Sequence, residues 1–228
     1  MSGLPQQLVF DLPHRAALGA EDFLVSGCNN VAVCMIDRWP DWPSPAIAVA
    51  GSAGSGKSHL VNVWRTKSGA ERLEAPSLAE NAIARLEQTG ALAVEHLERG
   101  IGDERVLFHL LNLAREGKFS MLLTGRVAPG ELDIGLPDLR SRLRALPLVR
   151  ILAPDDALLK ALLVKLFADR QLKVEPHIVA HLALHMERSA DAAVCVVKEV
   201  DRLALSSHRR VTRALAVEAL ARLRPDET

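Results

Sequence analysis

The sequence lacks net charge, paired cysteines and long apolar runs. Its 28 basic and 28 acidic side chains cancel, so it has no bulk electrostatic attraction for nucleic acid or for an anionic membrane, and any role on DNA must be local or indirect. The three cysteines, Cys28, Cys34 and Cys195, form no C-x-x-C pair, which suits a reducing compartment. No apolar run approaches the length of a membrane span, and no signal segment opens the sequence. We therefore expect a soluble, cytoplasmic protein with no membrane partner.

The most informative stretch is a phosphate-binding loop between a predicted strand and a predicted helix. Five small or apolar residues at 46–50 predict a buried strand, and the pattern Gly-x-x-x-x-Gly-Lys-Ser follows at 51–58. The glycines let successive backbone N–H groups turn towards a phosphate. Lys57 adds a charge for the β- and γ-phosphates, and the hydroxyl of Ser58 can ligate Mg²⁺. The loop residues of this predicted nucleotide site are Gly51, Gly54, Ser55, Gly56, Lys57 and Ser58.

Strands and helices alternate over the first two thirds of the sequence. The predicted helices of this part lie at 57–66, 77–88, 104–115 and 136–143. The predicted strands after the first lie at 91–94, 119–124 and 146–152. This alternation predicts an α/β fold, with a parallel sheet covered by helices on both faces.

From residue 155 onward the apolar periodicity predicts only helices. They lie at 155–169, 175–187, 190–206 and 211–223. The change of pattern near Pro154 predicts a second, all-helical subdomain. We therefore divide the chain into an extended tail (1–15), a nucleotide-binding core (16–153) and a small helical lid (154–228).

A phosphate loop on a parallel sheet followed by a helical lid resembles the layout of AAA+ ATPases. Within that class, Gly-Lys-Ser-His-Leu at 56–60 resembles the Gly-Lys-Thr-His-Leu of DnaA-type initiators. Leu-Leu-Thr-Gly at 122–125 and Leu-Pro-Asp-Leu-Arg-Ser-Arg-Leu at 136–143 are similar to the sensor 1 and arginine-finger region of the Hda-type paralogues that inactivate DnaA. We find no helix-turn-helix DNA-binding domain after the predicted lid, and we therefore expect an Hda-type paralogue rather than DnaA itself.

The resemblance assigns roles to individual residues. It makes Arg142 an arginine finger that acts in trans on the nucleotide of a neighbouring subunit, with Arg140 as the reserve candidate. A solvated basic face is the alternative for these arginines. Thr124 falls at sensor 1, and Glu95 falls where a carboxylate orients the Mg²⁺ shell together with Ser58. His59, which follows the loop motif, is also assigned to the nucleotide-binding residues.

Two positions depart from the pattern of an active ATPase. His96 stands where such an enzyme carries the carboxylate that orients the attacking water, so we expect weak intrinsic hydrolysis. A strand-end histidine with no nucleotide role is the alternative. Asp191 stands where the sensor 2 arginine is expected, and a carboxylate there repels the terminal phosphates. Arg188, three residues earlier on the same helix face, is the candidate to replace that arginine, unless it is an ordinary surface charge.

The tail contains Gln-Leu-Val-Phe-Asp-Leu at 7–12. This segment is similar to the short motif by which Hda-like proteins bind the DNA sliding clamp. In an extended backbone, Leu8, Phe10 and Leu12 share one side, and Gln7 supplies an amide for the mouth of a pocket. The alternative is a tail that packs on its own domain.

Together these features predict a regulator of replication initiation. It binds ADP or ATP with Mg²⁺, contacts DNA indirectly through the sliding clamp, forms a possible homodimer, and presents Arg142 to ATP-bound DnaA so that DnaA hydrolyses its ATP. The competing hypothesis is an AAA+ ATPase in its own right, such as a helicase loader or DNA-remodelling factor. The tail and the missing catalytic carboxylate favour the regulator.

Overall fold

The computed structural model describes residues 24–117, 119–207 and 210–223. The chain divides between Ala153 and Pro154 into two compact units. Within the described residues, one unit comprises 27–153, and the other comprises 154–223 together with 24–26.

The first unit is built on a parallel sheet of five strands. The strands are β1 (Ala46–Ala50), β2 (Glu71–Glu74), β3 (Ala91–Glu95), β4 (Ser120–Gly125) and β5 (Leu148–Arg150). Their order across the sheet is β2-β3-β4-β1-β5. All residues of β1 and β3 are buried, because the central strands of a parallel sheet are covered on both faces. This sheet order sets the ends of β3 and β1 on either side of β4.

Five helices belong to the same unit. They are α1 (Asn30–Asp37), α2 (Lys57–Ser68), α3 (Asn81–Thr89), α4 (Glu104–Arg115) and α5 (Pro137–Ala145). The side chain of Asp103 caps α4 by accepting from the backbone N–H groups of Arg105 and Val106. The apolar face of α4 carries Leu107 and Leu110, both fully buried in the core that covers the sheet.

Four helices form the second unit. They are α6 (Asp156–Asp169), α7 (Pro176–His185), α8 (Ala190–Ser207) and α9 (Arg213–Leu223). Their shared core is aliphatic around the fully buried ring of Phe167, with Leu163, Leu182 and Val197 equally buried. Asp155 caps α6 by accepting from the backbone N–H of Leu158.

The predicted α/β core with a helical C-terminal part is confirmed. Two elements differ from the sequence prediction. The strand β2 was not predicted, and the helix expected at 77–88 begins only at Asn81, after a short 3₁₀ turn at 75–77. None of the helices in the described part of the chain is long and apolar enough to cross a membrane.

Candidate nucleotide-binding site

The phosphate loop joins the carboxyl end of β1 to the first turn of α2. Gly56 has φ 94°, a left-handed conformation that favours glycine. At Gly51 a Cβ atom would lie 2.7 Å from Ser55 Oγ and 3.1 Å from Ile151 Cβ, so a side chain there would force Ser55 Oγ to turn away and would press on Ile151. The backbone N–H of Gly51 donates to the carbonyl of Gly125 on β4 (3.1 Å), which fixes the start of the loop on the sheet.

Lys57 places its ammonium group inside this loop. Its side chain is buried, and Nζ donates to the carbonyls of Gly51 and Ser52 at 2.7 Å and lies 3.4 Å from Ser55 Oγ. The residue opens α2, where the backbone N–H groups of the first turn and the helix dipole also favour an anion. The cation and the amide donors therefore act on the same small volume, which suits a phosphate.

Two predicted site residues meet next to the loop. Ser58 donates its hydroxyl to Glu95 Oε2 at 2.6 Å. Glu95 ends β3 and is 1% exposed. The register across the sheet pairs Val49 of β1 with Thr124 and Val94 of β3 with Leu123, so Thr124 lies beside both strand ends. Thr124 is 2% exposed. The carboxyl edge of the sheet thus brings the predicted loop, Glu95 and Thr124 together, while His59 lies half-buried in the first turn of α2.

Sequence reasoning missed Arg72, which contacts the same carboxylate. Nε of Arg72 lies 2.5 Å from Glu95 Oε1. The N–H is not aligned with that oxygen, which has no directed hydrogen bond, so the contact is an ion pair. Arg72 lies on β2, whose sequence Glu-Arg-Leu-Glu is mostly charged and does not have the pattern of a buried strand.

His96 follows Glu95 in a left-handed conformation, with φ 61°. Its ring lies between two carboxylates that the sequence did not place there. Nε2 is 3.7 Å from Glu74 Oε1, and Nδ1 is 3.7 Å from Glu98 Oε1. Position 96 carries an imidazole instead of a carboxylate, but two carboxylates lie beside it. One comes from β2 and the other from the turn after β3.

Glu98 is fixed by the residue that follows β4. Its Oε2 accepts from the backbone N–H of Arg126 at 3.0 Å, and Oε1 lies 3.4 Å from Arg126 Nε. Burial raises the pKa of the Glu98 carboxyl, but backbone donors from Glu98 and Arg126 and the charges of His96 and Arg126 outweigh it. The net result is a pKa below the usual value.

Arg142 lies near the amino ends of the strands, whereas the phosphate loop lies at their carboxyl ends. It lines a cavity of about 530 Å³ between α4, α5 and the amino end of β1. The side chains facing this cavity include Phe108, Arg115 and Asp138. The guanidinium carbon of Arg142 is 5.7 Å from the centre of the Phe108 ring.

The three arginines of α5 differ in their contacts. Arg140 donates from Nε to the carbonyl of Ile134 (3.1 Å), and its Nη2 contacts the same oxygen. Arg144 donates to the carbonyl of Gly130 (3.4 Å). Arg142 makes no hydrogen bond or ion pair with any residue that the structure describes. It is therefore the arginine of this helix whose donors are available to another molecule.

Arg188 belongs to the second unit and is paired within it. Its Nη2 lies 2.5 Å from Asp156 Oδ1, and both side chains are more than half exposed. Asp191 lies in the first turn of α8. The replacement of sensor 2 by Arg188 stays a prediction, and the same holds for the tail residues Gln7, Leu8, Phe10 and Leu12, which lie outside the described part of the chain.

Solved structures match this architecture at low sequence identity. Domain III of the Thermotoga maritima replication initiation protein DnaA superposes with a TM-score of 0.73 at 14% identity, over 89% of this chain and 95% of that one. The chain has the AAA+ fold. The replication initiator DnaA bound to AMPPCP and single-stranded DNA gives a TM-score of 0.63 at 18% identity, over 82% of this chain and 66% of that one.

A branch-migration motor has the same AAA+ fold. Thermotoga maritima RuvB, the Holliday junction motor, gives a TM-score of 0.66 at 15% identity, over 86% of this chain and 68% of that one. No family model matches the sequence. The structural matches therefore support the fold, and the function has to be argued from the site residues.

Proposed function

We propose that this protein is a nucleotide-binding regulator of replication initiation that, held on the DNA sliding clamp, promotes hydrolysis of the ATP bound to DnaA. The observation that carries the proposal is the position of Arg142. It lies near the amino ends of the strands, away from its own phosphate loop, and it lines a cavity. It has no hydrogen-bond or ion-pair partner among the described residues.

An arginine in this position suits catalysis in trans. Hydrolysis of ATP builds negative charge on the oxygens of the transferred phosphoryl group, and a guanidinium from a second subunit stabilises that charge. In well-studied GTPases such a finger accelerates hydrolysis by about three to five orders of magnitude. Arg140 and Arg144 are less suited, because each would first have to release a carbonyl of its own chain.

The protein's own nucleotide, ADP or ATP, is proposed to bind at the loop around Lys57. The buried ammonium, the glycine backbone and the open end of α2 support this site. His96 supports a weak intrinsic ATPase, because an imidazole replaces the carboxylate that orients water. In this proposal the protein's own nucleotide has a structural role, and the ATP that is hydrolysed is the one bound to DnaA.

The clamp contact is proposed for the tail, through Gln7, Leu8, Phe10 and Leu12. Binding to a clamp already loaded on DNA would bring the neutral chain to DNA without direct contacts to it. A homodimer would carry two such tails to a ring with repeated pockets and increase the effective concentration of the second contact.

The decisive experiment measures hydrolysis of radiolabelled ATP bound to DnaA. The complete reaction contains DnaA, clamp loaded on primed DNA, and this protein with nucleotide. We expect rapid conversion to ADP that requires all three. Hydrolysis of free ATP by this protein alone, at a comparable rate and without DnaA, would instead support the alternative of a helicase loader or DNA-remodelling ATPase.

A further inference from the structure

The carboxylate of Glu95 is contacted on both oxygens by groups of this chain. Ser58 donates its hydroxyl to Oε2 at 2.6 Å, and the guanidinium of Arg72 lies 2.5 Å from Oε1. Glu95 is 1% exposed, so its carboxylate is shielded from solvent. A buried carboxylate needs a compensating positive charge, and here Arg72 supplies it.

This arrangement does not fit the divalent ion that the fold implies. Mg²⁺ at a phosphate loop uses a Ser or Thr hydroxyl together with a nearby carboxylate that is free to accept from the water shell of the ion. Ser58 and Glu95 are the residues of that type. However, the guanidinium of Arg72 already lies against Glu95 and is also 3.8 Å from Glu74 Oε1, and a second cation beside it would be repelled.

The strand register explains why Arg72 reaches this position. In the parallel pairing of β2 with β3, Arg72 lies opposite Ala93 and Glu74 lies opposite Glu95. Residues two apart in a strand share a face, so Arg72 and Glu95 project to the same side of the sheet. The small side chain of Ala93 leaves the long arginine side chain free to extend to the end of β3. The contact is therefore built into two adjacent strands.

We propose that Arg72 takes the place of Mg²⁺ at this site, so that the protein binds its nucleotide without requiring a divalent cation. The inference rests on the proposed nucleotide site at Lys57. It adds that the affinity comes from the loop amides and the Lys57 ammonium, whereas the charge of Glu95 is compensated by the protein itself. It replaces the sequence expectation that Glu95 orients the Mg²⁺ shell.

The test is a calorimetric titration of the full-length protein with ADP, once with millimolar Mg²⁺ and once with EDTA. We expect the two dissociation constants of the unchanged protein to agree within about threefold, a difference of less than 1 kcal/mol. Arg72→Met removes the charge and keeps the length of the side chain, so its affinity should fall about tenfold or more when Mg²⁺ is removed. Arg99→Met is the matched control, because Arg99 pairs with Glu74 (3.3 Å) and is not paired with Glu95.

Each outcome separates this inference from the nucleotide site on which it rests. A loss of tenfold or more in the unchanged protein on adding EDTA, about 1.4 kcal/mol, would overturn the inference and leave the nucleotide site intact. Equal indifference to Mg²⁺ in Arg72→Met would overturn the assignment to Arg72. Absence of ADP binding under both conditions would overturn the site at Lys57 and this inference with it. The comparison in the unchanged protein decides the question even where Arg72→Met does not fold.

Discussion

The guanidinium carbon of Arg142 lies 5.7 Å from the ring centre of Phe108. A guanidinium over an aromatic face is attracted by the ring, while the N–H groups around its edge remain able to donate. The contact therefore holds the side chain of Arg142 without using its hydrogen-bond donors. This state suits the proposed role of Arg142, in which the guanidinium donates to a phosphate on another protein.

Replacing Arg142 is the first prediction. Arg142→Ala should reduce the stimulated hydrolysis of DnaA-bound ATP by about a hundredfold or more, because the transition-state charge loses its cation. Its free energy of unfolding should stay within about 1 kcal/mol of the unchanged protein, since the side chain loses its contact with the Phe108 ring and makes no hydrogen bond or ion pair with a described residue. The measurement combines single-turnover hydrolysis with thermal melting.

Arg144→Ala is the matched control for that experiment. It lies on the same helix and removes the same charge, but its side chain donates to the carbonyl of Gly130. It should keep most of the stimulation. If Arg140→Ala or Arg144→Ala abolishes hydrolysis while Arg142→Ala does not, the assignment of the finger to Arg142 is wrong.

Replacing Lys57 is the second prediction. Lys57→Ala should weaken binding of ADP and ATP by at least about tenfold, because the ammonium inside the loop is lost. Lys67→Ala removes the same charge from the other end of α2, where Lys67 pairs with Asp37. It should leave nucleotide affinity unchanged. Equal losses in both variants would indicate a general effect on the helix and not a phosphate site.

The third prediction concerns pH and Glu98. The pKa of this carboxyl is lowered in the folded protein, so its ionised form stabilises the fold above the unfolded value of 4.5, and this contribution is lost as the pH falls through the folded pKa. Glu98→Gln should therefore lower the free energy of unfolding by about 1 kcal/mol near pH 7. The difference should shrink towards zero below the ordinary pKa of a glutamate.

Glu131→Gln is the control for Glu98. Glu131 is 54% exposed and pairs with an exposed arginine, Arg150, so its removal should cost less than about 0.5 kcal/mol at any pH. Denaturant unfolding at a series of pH values measures both variants. A Glu98→Gln effect that stays constant down to acid pH would contradict the ionised role of this carboxylate.

The fold was predictable from the sequence where burial is complete. The strand β1 is an interior strand of a parallel sheet and is apolar at every position, and the helix α4 has one continuous apolar face. Both were predicted close to their observed bounds. The strand β2 was not, because it is an edge strand with one neighbour and only partial burial, and such a strand tolerates charged residues.

The same difference explains what was missed at the site. The loop residues follow one another in the sequence, so their spacing alone predicts that they form one phosphate-binding loop. The contact of Arg72 with Glu95 joins residues of two strands, and it depends on the register of the unpredicted β2. The approach of Glu98 to His96 likewise follows from the turn after β3, where His96 has a positive φ that local sequence does not predict.

The last prediction concerns the tail, which is argued from its sequence. Burying Leu8, Phe10 and Leu12 in a preformed pocket contributes several kcal/mol before ordering costs, which corresponds to roughly micromolar affinity for the isolated peptide. A peptide of residues 1–15 should therefore bind the clamp weakly, and the full protein should bind more tightly if two tails engage one ring.

Deletion of residues 1–15 should abolish clamp binding and the inactivation of DnaA together, with nucleotide affinity and melting temperature unchanged. Gln7→Ala is the milder variant and should weaken clamp binding and the inactivation of DnaA in parallel. If deletion instead lowers the melting temperature and Gln7→Ala has no effect on clamp binding, the tail packs on its own protein and the proposed regulator loses its contact with the clamp.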